Sequence, residues 1–208
     1  MKVLLFNGSP RIKGCTFTAL DIVAQTLFDE GIDSEILQAG NKPIGDCIGC
    51  GGCYGKGKCV FDGDVVNEWI QKAATADGFV FGAPVYYAHP TGRMLSVMDR
   101  LFYAGGANFK YKPGAVVTSA RRAGTTASLD ALSKHLSINE MPIVTSSYWT
   151  MVHGSKPEDV MCDKEGVQTM RNLGKNMAWM LKCIQAGKAA GISVPNNDRS
   201  VKTNFIRE

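Results

Sequence analysis

The sequence contains no apolar run approaching the roughly 20 residues that a membrane-spanning helix needs. It also lacks a dominant charge: 23 Lys and Arg stand against 19 Asp and Glu, a formal net charge of +4 over 208 residues. The basic residues are spread along the chain, so neither nucleic acid nor a membrane surface is expected as a partner. Internal repeats and low-complexity tracts are missing too, which excludes a fibrous or disordered chain. The first apolar run, Val3 to Phe6, is cut off by Asn7-Gly8-Ser9-Pro10 and is too short for a signal-peptide core. The reducing cytoplasm is therefore the expected compartment. Against this background cysteine stands out. There are seven, and Cys47, Cys50, Cys53 and Cys59 fall within one short segment. In a reducing compartment such a group reads as metal or redox chemistry before disulfides.

Hydrophobic periodicity predicts five strands alternating with helices. The strands are Val3–Phe6, Ser34–Leu37, Gly78–Gly82, Gly114–Thr118 and Pro142–Thr145. The helices carry Phe17 to Phe28, Val65 to Ala73 (capped by Asp62 or Asp64), Thr91 to Phe102, Ala127 to Leu136, and Lys164 to Ala186. Such β-α repetition implies a doubly wound α/β parallel sheet in a three-layer α/β/α arrangement. Residues 1–187 are expected to form one domain with a Cys-rich insertion at 45–61. The polar segment 188–208 is expected to be an extension, packed on the domain or reaching a neighbouring subunit.

Ligands of such sheets sit beyond the carboxyl ends of the strands, so three loops matter. In the first, Asn7 to Thr16, a strand-to-helix turn can aim backbone N–H groups at a phosphate. Ser9 and Thr16 add hydroxyls, and Arg11 and Lys13 add charge. Lys13-Gly14-Cys15 breaks the Walker A spacing, and no Gly-x-Gly-x-x-Gly occupies the turn. The second loop, Gly82-Ala83-Pro84-Val85-Tyr86-Tyr87-Ala88-His89-Pro90, is stiff and aromatic, a wall suited to a planar ring; otherwise its tyrosines cover the end of the core. His89 reads as a surface residue, and Asp99-Arg100 as a structural ion pair or cap.

Gly8-Ser9-Pro10-Arg11, Gly82 to Tyr87, and Gly92 with Met94 and Asp99-Arg100 together resemble the NADPH-dependent FMN reductase family of the flavodoxin-like superfamily. The resemblance runs in order from about Met1 to Ser147. It implies a five-stranded sheet of order 2-1-3-4-5 and an FMN-binding oxidoreductase that takes electrons from NAD(P)H. The acceptor is a small molecule or a protein. By the same resemblance Ser9, Arg11, Cys15, Thr16 and Phe17 hold the phosphate, although Cys15 stands where similar proteins commonly have Asn. Pro84, Val85, Tyr86 and Tyr87 line the ribityl chain and ring. The third loop, carrying Ser119, Arg121, Arg122 and Gly124, meets the ring edge, where an arginine stabilises the anionic reduced flavin; alternatively it is a solvated basic turn. Tyr148-Trp149 and His153-Gly154 are further candidates to close over the ring. Sites of this fold are often completed across a subunit contact, so a homo-oligomer, dimer or tetramer, is expected.

Cys47-x2-Cys50-x2-Cys53-x5-Cys59 is interleaved with glycines that let the backbone wrap closely and aim N–H groups at sulfur. The motif resembles that of the iron-sulfur flavoproteins, which hold a [4Fe-4S] cluster beside FMN and pass single electrons. Three readings stand open at this point: a [4Fe-4S] cluster, reduced thiols without metal, and a zinc-held loop on a binding module. Cys162 and Cys183 are expected as buried small hydrophobes. Cys15, at a helix N-terminus, is expected to have a lowered thiol pKa.

Overall fold

A computed structural model describes residues 1–203 and 205. Residues 204 and 206–208, the end of the expected C-terminal extension, lie outside the described residues. The parallel sheet is built from β1 (Lys2–Asn7), β2 (Asp33–Gln38), β3 (Gly78–Tyr86), β5 (Gly114–Ala120) and β6 (Met151–His153), in the order β2-β1-β3-β5-β6. A two-residue strand, β4 (His89–Pro90), folds back antiparallel on the end of β3. Set that ribbon aside and the order is the expected 2-1-3-4-5.

Helices cover both faces, as parallel strands require. Helices α1 (Cys15–Asp29), α5 (Pro157–Cys162) and α6 (Lys164–Ala189) lie on one face. Helices α2 (Val66–Ala74), α3 (Gly92–Gly105) and α4 (Thr125–Ile138) lie on the other. Strand alternation divides the core between them. Val3, Leu5, Val80, Ala115 and Val117 point toward α1 and α6. Leu4, Phe6, Phe79, Phe81 and Val116 point toward α2 to α4. On that second side an aromatic stack fills the centre, with Phe6 and Phe81 centroids 4.7 Å apart and Phe79 and Phe109 4.6 Å apart.

The edge strand departs from its expected place. Pro142 to Thr145 forms only one isolated bridge, Ile143 to Gly114, supported by the amides of Gly114 and Val144. The ladder resumes at Met151, opposite Thr118. Four steps along β5 thus match eight along its partner, and the chain between bows outward. Tyr148 and Trp149, both more than half exposed, form its crest. The apolar run at 142–145 marked where the chain meets the sheet, but the regular strand lies beyond the excursion.

Cys162 and Cys183 are both exposed, contrary to expectation: each falls on the outer face of its helix. His89 is on the surface, as expected. Among the described residues no helix is long and apolar enough to cross a membrane.

Candidate functional site

The carboxyl ends of β1, β3 and β5 converge on an open cleft of about 270 Å³. It is lined by Ser9, Arg11, Cys15, Thr16, Pro84, Val85, Tyr86, Ser119 and Arg121, all expected from the sequence, together with Ala120, Gly154 and Ser155. No carboxylate is among these residues, and two arginines are. Phe17, Tyr87, Arg122 and Gly124 were also expected and do not line it. Phe17 is half-buried in α1, and Tyr87 and Arg122 point to solvent.

The first loop is fixed from below. The Ser9 amide donates to Asn7 Oδ1 at 3.0 Å, and the Arg11 amide donates to Ser9 Oγ at 3.1 Å. Gln38, at the end of β2, donates to the Ser9 carbonyl at 2.6 Å and accepts from the Asn7 amide group at 2.6 Å. Gln38 thus positions a loop it does not belong to, acting on Ser9 directly and through Asn7. The signal in the sequence was a polar residue ending each of two adjacent strands. Gly8 lies where a Cβ would come within 2.7 Å of Met94, so this loop presses on α3. Helix α1 then begins at Gly14 with no side-chain cap and no acidic residue in its first turn. Its leading N–H groups and partial positive charge are left for an anion.

Thr16 and Ser119 bond one another at 2.8 Å and are almost fully buried. They strap α1 to β5, joining the first loop to the third. Gly124 has φ +85°, and a Cβ there would sit 2.8 Å from Val85 and 3.2 Å from the Ala88 carbonyl oxygen. Its role is to let the third loop press against the second. Tyr86 and Tyr87 stand exposed at the rim and do not cover the core; Tyr87 turns the β3–β4 ribbon with φ 60°. The Cys15 thiol is pushed up, not down. Burial is the main cause, the Asp159 and Glu158 charges add to it, and the helix-end amide and Arg11 only partly oppose it. Gly154 reaches the cleft by accepting from Cys15 Sγ at 3.5 Å. Tyr148 and Trp149 line a separate groove against β5 and α4.

The second constellation is the cysteine segment, which has no regular secondary structure. Its wrapping uses left-handed backbone at Gly49, Gly51, Gly55 and Gly57, with φ between 62° and 69°, positions that glycine alone adopts without strain. Cys47, Cys50, Cys53 and Cys59 all line one cavity of about 130 Å³, bordered by Phe61 and by Arg100, Tyr103 and Ala104 of α3. Among the described residues no three His, Cys, Asp or Glu side chains converge closely enough to hold a single metal ion.

Sequence reasoning missed what holds this segment. Asn67 of α2 accepts from the Cys59 amide at 2.8 Å and donates to the Cys59 carbonyl at 3.1 Å. Arg100, 1% exposed, donates to Cys59 Sγ at 3.2 Å, to the carbonyls of Gly45 and Phe61, and to both carboxylate oxygens of Asp64. Arg100 is therefore paired with Asp64, and Asp99 with His135 at 2.9 Å; the two neighbours do not pair with each other. Asp64 also accepts from the Val66 amide at 3.0 Å, but the N-cap of α2 is Val65, which has no side-chain cap, so neither Asp62 nor Asp64 occupies the expected cap position.

A profile of NADPH-dependent FMN reductases matches residues 1–156. An iron-sulfur flavoprotein of Methanocaldococcus jannaschii is 32% identical over 193 residues, 89% of this chain and 100% of that protein. Among solved structures, RosB with a bound 8-demethyl-8-formylriboflavin-5'-phosphate intermediate superposes with a TM-score of 0.70 at 14% identity, covering 100% of this chain and 96% of that one. An archaeal flavodoxin superposes with a TM-score of 0.59 at 14% identity, covering 88% and 99%. These two likenesses show a flavodoxin-like fold. With the strand-end cleft in the place this fold reserves for its ligand, the chain belongs to the NADPH-dependent FMN reductase family and is an FMN-binding oxidoreductase.

Proposed function

We propose that the chain is an electron-transferring flavoprotein that holds FMN in the strand-end cleft and a [4Fe-4S] cluster in the cysteine cavity. The observation that carries this reading is that all four motif cysteines line one cavity. Structural zinc sites usually join two separate pairs of ligands, whereas here three cysteines stand two residues apart with a fourth close by. The full-length similarity to a protein named an iron-sulfur flavoprotein supports the same choice.

When bound, FMN supplies exchange with a nicotinamide and the cluster supplies one-electron transfer. The chain's own residues do the rest. The uncapped α1 terminus and Arg11 would hold the phosphate. Pro84, Val85 and Tyr86 would flank the flavin, with Ser119 and Arg121 on the third loop beside it. Cys47, Cys50, Cys53 and Cys59 would ligate iron, with Phe61 and Tyr103 at the border of that cavity. Helix α3 touches both places: Met94 lies under the first loop and Arg100 at the cysteine cavity, about 9 Å apart along the axis.

Residues 1–187 act as the flavin domain with 188–208 as an extension. The thiol set fits a reducing cytoplasm, and the exposed Tyr86 and Tyr87 at the cleft rim fit a homo-oligomer that completes the site, which light scattering will test. NAD(P)H is the proposed electron source, and the acceptor is a small molecule or a redox protein. The test is anaerobic purification with a visible spectrum and metal analysis. About four iron and four sulfide per chain, with one FMN, are expected. FMN with brisk NAD(P)H oxidation but no iron overturns the cluster and leaves a plain reductase.

A further inference from the structure

Arg100 is among the largest fully buried side chains, yet among the described residues its only carboxylate partner is Asp64. A guanidinium has five N–H donors, and all five are engaged: two by Asp64, one each by the carbonyls of Gly45 and Phe61, and Nε by Cys59 Sγ. The Phe61 ring lies 5.6 Å from the guanidinium carbon and closes the outer side. The side chain therefore has no freedom to turn its Nε–H away from sulfur. Cys59 is equally fixed, because Asn67 holds its backbone from both sides. It is also the one buried member of the motif; Cys50 is exposed and Cys47 and Cys53 are intermediate. A cation locked by four other bonds onto the buried sulfur is more than a loop anchor needs, since the Asp64 and carbonyl bonds alone fix the segment.

We propose that Arg100 is a positioning residue that sets the reduction potential of the cluster through the Nε–H to Cys59 Sγ bond. This rests on the cluster reading above. Hydrogen bonds to cluster sulfurs, net charge and exposure are what tune such potentials. Uptake of one electron by the cluster makes the thiolate-bound centre more negative. A buried cation donating to a ligand sulfur stabilises that state more than the oxidised one, so Arg100 raises the potential. Asp64 offsets part of this, because its carboxylate grips the far side of the guanidinium.

The two residues therefore act in opposite directions, and a purely structural role would not separate them. In Arg100→Gln the cation is lost while an amide donor remains for Asp64; in Asp64→Asn the cation stays and its counter-charge is lost. The cluster midpoint is read by EPR-monitored titration with dithionite and mediators, on samples matched for iron and sulfide. Arg100→Gln is expected to lower it by about 59 mV, a tenfold change in the reduced-to-oxidised ratio. Asp64→Asn is expected to raise it. Unchanged midpoints in both variants, or shifts of the same sign, overturn the proposal. Should Arg100→Gln fail to fold or load, Asp64→Asn with Arg100→Lys decides: Lys keeps the charge but not the locked Nε–H to Sγ bond, so a midpoint raised in the first and lowered in the second supports the proposal, and any other pair overturns it. Iron-free wild-type protein, by contrast, overturns the cluster reading itself.

Discussion

The strand-end cleft and the cysteine cavity are built by opposite means. The cleft is assembled from the ends of regular strands, and its parts hold one another: Thr16 bonds Ser119, Gln38 bonds the first loop, and Gly124 presses on Val85. Remove the ligand and its walls remain, because the sheet made them. The cysteine segment has no ladder to lean on. It is held by side chains of α2 and α3, above all Asn67 and Arg100, that reach out to its backbone and to one sulfur. A site on a sheet inherits its geometry from the fold, whereas a site on a loop must import its geometry from charged neighbours.

The largest test of that contrast is all-or-none. Cys59→Ala should abolish iron and sulfide binding while leaving FMN stoichiometry intact, as read by metal analysis and flavin absorbance on the same sample; joint loss of both groups would break the separation. Next comes Gly124→Ala. A side chain at φ +85° that also overlaps Val85 costs on the order of 1–3 kcal/mol. FMN should bind roughly tenfold more weakly in fluorescence titration, with iron content unchanged.

Smaller effects sharpen the picture. Thr16→Val leaves the buried Ser119 hydroxyl without its partner, and Asn67→Ala frees both backbone groups of Cys59. Each should lower stability by about 1–3 kcal/mol in urea unfolding of the metal-free protein. Because the two sites share no partner, the double variant should be additive to within about 0.5 kcal/mol; a larger deviation means the regions are coupled. The smallest effect lies outside both. Arg199, and after it Lys110, hold the Glu140 carboxyl down to about 2. A depressed carboxyl stabilises the fold above its unfolded value of about 4.3 and loses that contribution as the pH falls through 2. Pepsin digestion followed over that window should show the segment around Arg199 released only toward its acid end, and earlier at high salt.

The sheet and the cleft were legible because burial on both faces writes apolar runs into the sequence. Val3 to Phe6, Phe79 to Phe81 and Ala115 to Val117 could hardly be anything but central strands, and the loops following them had to be the ligand-binding end. The edge strand was not legible, since Met151 to His153 is short and half-covered and an excursion intervenes. Helix α5 was missed although Pro157 at its start and Asp159, accepting from the Ser155 and Lys156 amides, mark a helix beginning. The cysteines announced themselves by spacing, but Arg100, Asp64 and Asn67 did not. The groups that Arg100 and Asn67 hold lie 5 to 55 residues away in sequence, and no periodicity encodes a charge that turns inward. Cys15 misled for a related reason: its helix position is local, while the burial that dominates it is not.

The outward bow of residues 145–150 has a consequence for solubility. A sheet ends in a row of free amides and carbonyls, which invites another strand to add to it. Here that rim is broken into one isolated bridge and a three-residue strand with a bulky aromatic crest between them. At the opposite rim β2 carries Glu35, held by Lys2 and Lys72, so a second strand arriving there meets charge. Neither border offers a straight apolar template, which protects the chain from strand-to-strand aggregation at the concentrations a cell imposes.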